Sequence, residues 1–100
     1  MSTSRPQTAR IKQLEIARVI VTQWRFAPGA ETGWHIHGHD YVVVPLTTGT
    51  LRLETHDGDK TAQLELGVSY TRLAGVEHNV INANDYFLSF VEVELKPCVG

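Results

Sequence analysis

The sequence carries one cysteine in 100 residues, Cys98, next to Pro97 and two positions from the C-terminus. No internal disulfide can form, which excludes a disulfide-stapled scaffold. A thiol so near the chain end is not expected to act as a nucleophile, and an intermolecular bridge or an incidental thiol remains. Basic excess is missing as well. Nine Lys and Arg against eleven Asp and Glu leave a formal charge of −2, so no nucleic-acid partner is expected. No apolar run reaches the roughly 18–20 residues that cross a bilayer, and the opening "MSTSRPQTARIKQLEIARVIV" has no apolar stretch of signal-peptide type. A reducing, cytoplasmic setting without membrane association is the expectation. Repeats, low-complexity tracts and linkers are also lacking, which points to a single domain.

What is present is a succession of short β-like runs with turn residues between them. "VIVTQWRF" is rich in β-branched and aromatic residues and is broken by "PGAETG". "WHIH", "YVVVPL" and "TLRLETH" follow; Asp57-Gly58 is a hairpin signal leading into "KTAQLEL". "VSYTRL", "HNVIN" and "YFLSFVEVEL" complete the series. Leu51 and Leu53 alternate with Arg52 and Glu54, and Phe87, Val91, Val93 and Leu95 are out of phase with Glu92 and Glu94, which read as a wet face. About eight short strands without an interior helix predict an all-β jelly roll or closed barrel. Pro45 is expected at a bulge or an edge. Residues 1–17 are expected to form an N-terminal arm or added edge strand, and 18–100 the barrel; the helical spacing in "IKQLEIARV" is weak.

Three of the five histidines fall in "WHIHGHDY". Strand residues i and i+2 share a face, so His35 and His37 can meet one cation, each through one ring nitrogen. A barrel that folds back on itself can bring His78, in "GVEHNVIN", opposite that pair. Three neutral imidazoles then form an open site with positions left for water or substrate. Iron, nickel, manganese, cobalt and zinc all suit such ligands.

These segments resemble the two signature motifs of the cupin superfamily. "GAETGWHIH" matches G-x5-H-x-H at Gly29, His35 and His37, and "GVSYTRLAGVEHNVIN" matches the second motif at Gly67, Gly75, His78 and Asn82. Leu73 stands where that motif has proline, and the glutamate of the first motif is replaced by Tyr41, or by Val42 on the longer count that closes at Gly49. The resemblance is to short single-domain bacterial cupins, some of them associated with β-alanine degradation. It implies a small antiparallel double-stranded β-helix with His35, His37 and His78 holding one divalent metal, and a homodimer, with "VIVTQWRF" as a candidate contact. It also implies that three-histidine cupins include iron(II) dioxygenases, so Fe(II)-dependent oxygenation of a small anionic metabolite is the first expectation. A non-catalytic ligand-binding module and a zinc- or manganese-dependent isomerase or lyase are the alternatives.

Tyr41 and His39 are candidates for a fourth ligand or an outer contact, with a barrel-wall aromatic and a loop residue as their plainer roles. Tyr41 and Arg72 are candidate substrate contacts, Arg72 through a bidentate anion pair; Arg25 and Arg52 share its strand placement. Asp40 is read as a loop residue before a histidine orienter, His56 as an exposed hairpin residue, and Asn82 as a turn anchor. Trp24, Phe26, Trp34, Phe87 and Phe90 are expected in the core or at a dimer contact.

Overall fold

Alternating β-branched and aromatic runs do form strands, nine of them, in a computed structural model that describes residues 5–97; Cys98 lies outside the described residues. The strands are β1 (Ala9–Glu15), β2 (Val19–Phe26), β3 (His35–Ile36), β4 (Asp40–Pro45), β5 (Gly49–Thr55), β6 (Gly58–Leu64), β7 (Tyr70–Arg72), β8 (Glu77–Asn82) and β9 (Leu88–Leu95). One sheet runs β1-β2-β9-β4-β7 and the other β3-β8-β5-β6, with antiparallel pairing between the strands of each. Two sheets facing each other bury one side of every inner strand, which gives the jelly roll its core.

That core is Phe26, Ala30, Tyr41, Val43, Leu51, Leu64, Val80, Leu88 and Phe90. Its floor is tied by Asn82, whose side-chain amide donates to the carbonyls of Phe26, Ala27 and Tyr86 and whose Oδ1 accepts from the Asn84 backbone N–H. Gly49 lies against this knot: a Cβ there would come within 2.9 Å of Asn84, Leu88 and Tyr86. The β5–β6 hairpin closes with positive φ on Gly58 rather than on Asp57. Pro45 sits at no bulge, and β4 has a strand partner there on one side only, β9, because its pairing with β7 stops at Val43. The proline is the last residue of β4, and because the Leu46 N–H turns to Ser89 on β9, the Pro45 nitrogen points past the end of β7, where no acceptor is missed.

The N-terminal strand β1 pairs with β2 along most of its length and forms the edge of the larger sheet, with every residue exposed. Strand β9 corrects the sequence reading. Leu88, Phe90 and Glu92 face the interior, whereas Phe87 is 64% exposed and Val91, Val93 and Leu95 lie on the outer side. Apolar residues occupy both phases of this strand, so alternation alone did not decide which set is buried. Trp34 is likewise exposed, while Trp24, Phe26 and Phe90 belong to the core or pack against it.

Candidate metal centre

The register of β3 on β8 sets His35 directly opposite His78. His37 follows one residue beyond β3, and its backbone is fixed on both sides: its N–H donates to Val76 and its carbonyl accepts from Gly75. The turn through Gly75, at positive φ, returns the chain to β8 and brings His78 back to the pair. The i, i+2 spacing and one antiparallel rung therefore deliver three imidazoles to one point.

The Nε2 atoms of His35 and His37 lie 3.1 Å apart, as do those of His37 and His78. All three ligand atoms fall within 4.8 Å of one another. The His35 Nδ1 lies 2.9 Å from the Gly33 carbonyl, which can only accept, so Nδ1 carries the proton and Nε2 presents a bare lone pair. Burial, followed by the neighbouring histidines, lowers His37 to about 3. Burial, followed by His35 and Arg72, lowers His78 to about 4. Both are neutral at physiological pH, the form that binds metal.

The spacing fits a metal. Two donors about 2.1 Å from an ion sit about 3.0 Å apart at a right angle and about 3.4 Å apart at the tetrahedral angle. The two 3.1 Å separations fall nearer the right angle, the spacing of neighbouring donors on one ion. These three histidines can hold a metal ion.

A cavity of about 290 Å³ opens onto the cluster. Val43, Leu51, Leu53, Val80 and Phe90 give it apolar walls, and Lys60 and Arg72 bring positive charge to its lining. Tyr41 packs flat on the His37 ring, with centroids 4.0 Å apart, and burial followed by Glu92 raises its phenol. Arg72 stands opposite Tyr41 in the β4–β7 register, with its guanidinium 4.6 Å from the Tyr70 ring centroid.

The structure does not bring His39 to the other three. Gly38 and His39 form a bend, which breaks strand parity, and His39 Nδ1 lies 3.1 Å from Glu94. Asp40 accepts the Ala74 backbone N–H, so it pins the loop before β8 and orients no histidine. Arg25 is exposed, and Arg52 lies between Glu54 and Asp59, each at 3.8 Å. His56 is on the outside against Trp34 and Glu77.

Glu92, expected with Glu94 on a wet face, lies inside instead. Only 5% exposed, it lines the cavity with its Oε1 3.9 Å from His37 Nδ1. Burial, then the neighbouring Glu94, lifts its carboxyl to about 7. The signal was Phe90: an aromatic taken as the inward residue of β9 carries Glu92 inside with it.

The chain matches no protein-family model. The β-alanine degradation protein BauB of Pseudomonas aeruginosa is 63% identical over 94 residues, which cover 94% of this chain and 99% of that protein. A solved cupin domain from Bordetella pertussis is 57% identical, with a TM-score of 0.94 over 96% of this chain and 100% of its own. A double-stranded β-helix protein from Klebsiella pneumoniae shares the fold at 23% identity, with a TM-score of 0.75 over 99% of this chain and 85% of its own. With more than half its residues shared with a cupin domain along nearly its whole length, and the histidines of both cupin motifs meeting inside the barrel, this chain belongs to the cupin superfamily.

Proposed function

We propose that His35, His37 and His78 hold one divalent metal, iron(II), and that the protein is a dioxygenase for a small anionic metabolite. The observation that carries this reading is the meeting of three Nε2 atoms at the end of an apolar cavity. Bound iron would supply redox activation of dioxygen, and three neutral ligands would leave its charge available to a chelating anion. The chain's own residues do the rest. Arg72 and Lys60 draw an anionic substrate in, and the apolar walls exclude water from the reacting end. Tyr41 lies against His37, where its neutral phenol can donate to charge developing on a substrate oxygen.

The likeness to BauB supports a place in β-alanine degradation, and so a substrate of few carbons with a carboxylate. The single cysteine suits a cytoplasmic setting. We also propose a homodimer. The register aligns Leu14, Val21, Val93 and Val42 in one row across the outer face of the larger sheet, an apolar strip suited to a second copy.

The test is dioxygen uptake by protein loaded with iron, offered thiols, β-diketones and short carboxylic acids. Uptake with one of these classes supports the reading. A fully iron-loaded sample that consumes no dioxygen with any of them contradicts it and favours ligand capture without catalysis.

A further inference from the structure

We infer that Glu92 is the positioning residue of His37: its carboxylate accepts the Nδ1–H and so holds Nε2 toward the metal-binding point. The inference rests on the three-histidine reading above. In the first cupin motif of this chain a carboxylate is replaced by Tyr41, and Glu92 brings one back from a different strand, β9, to the far edge of the same imidazole.

Both side chains are only 6% exposed, and Oε1 stands 3.9 Å from Nδ1, an ion-pair spacing longer than a hydrogen bond. The terminal torsion of glutamate is soft, so the remaining gap can close without a backbone shift. Tyr41 covers one face of the His37 ring, which leaves the ring edges for polar partners. His35 already has its Nδ1 partner in the Gly33 carbonyl, and Glu92 is the group that can serve His37 in the same way. Among the described residues the ion pairs join Glu92 to His37 and to no Lys or Arg. A buried carboxylate without an ion-paired Lys or Arg is costly, and a cation held at Nε2, across the His37 ring, would offset that cost. Glu92 is not among the ligand atoms that converge with the three histidines, which sets it behind His37 rather than beside it.

The test uses the full chain with cobalt(II) as a spectroscopically visible probe, in competition with a chelator. Glu92→Ala should weaken cobalt affinity by about 10–100-fold. Glu92→Gln, whose amide oxygen still accepts, should lose less. Both should keep one cobalt per chain and the unaltered ligand-field spectrum, while the metal-free Glu92→Gln protein melts no earlier than wild type. Glu77→Gln, at a half-buried glutamate paired with His56, is the control and should change none of these. Should Glu92→Ala fail to fold, the isosteric Gln variant decides. Affinity of folded Glu92→Ala within twofold of wild type overturns the inference, as does the same result for Glu92→Gln where the Ala variant does not fold. So does a changed ligand-field spectrum, which would make Glu92 a direct ligand. Wild-type protein that takes up no cobalt overturns the three-histidine reading and this inference with it.

Discussion

His35 on β3 and His78 on β8 are register partners, facing each other across a single antiparallel rung although 43 positions separate them in the chain. His37 then needs only the two-residue repeat of an extended chain to join them. The convergence of the three imidazoles thus depends on one strand pairing and on one short stretch of backbone.

Removing the shared corner of the cluster should abolish binding. His37 Nε2 lies 3.1 Å from each of the other two, so His37→Ala should eliminate stoichiometric metal uptake measured by elemental analysis. His56→Ala, on the outer surface, should leave uptake intact.

Gly49 tests the floor beneath the site. A Cβ would meet Asn84, Leu88 and Tyr86 at 2.9 Å, and Asn84 is held by hydrogen bonds to Thr50 and Asn82. Gly49→Ala should destabilise the fold by about 1–3 kcal/mol, read from the denaturant midpoint.

Stability of the metal-free protein should carry two opposed pH dependences, both at or below neutrality. His37 and His78 titrate at about 3 and 4 when folded, against about 6.5 when unfolded. Below about 6.5 the unfolded chain takes up protons that the folded one refuses, so stability drops as pH falls from there toward 4. Glu92 has the opposite sign: folded, it keeps its proton to about 7, while unfolded it loses it near 4.5, so stability drops as pH rises between those values. Glu92→Gln should remove this loss, which is complete above about 7, and so gain up to about 3 kcal/mol at pH 8, measured by chemical denaturation without metal.

The dimer can be tested on the same sheet. Val93 pairs with both Val21 and Val42, at the centre of the outer apolar row. Val93→Glu should convert a dimer to a monomer by light scattering after size exclusion; a wild-type monomer at micromolar concentration would contradict the assembly.

The strands, the fold and the three histidines were legible because each leaves a short-range mark: β-branched runs, glycine turns, and the spacing of His35, His37 and His78. Glu92 was not, because β9 has apolar residues in both phases, and only the facing sheet decides that Phe90 and Glu92 point inward. His39 shares parity with the ligands on paper, yet the bend at Gly38 turns it to Glu94. Pro45 needed knowledge of where β7 ends, which no local pattern carries.

X-ray absorption at the iron edge of the loaded protein tests the central claim most directly. Three imidazole nitrogens should appear in the first coordination shell, and His78→Ala should lose the iron altogether. Iron bound without imidazole, or retained in that variant, would show that the three rings do not form the site.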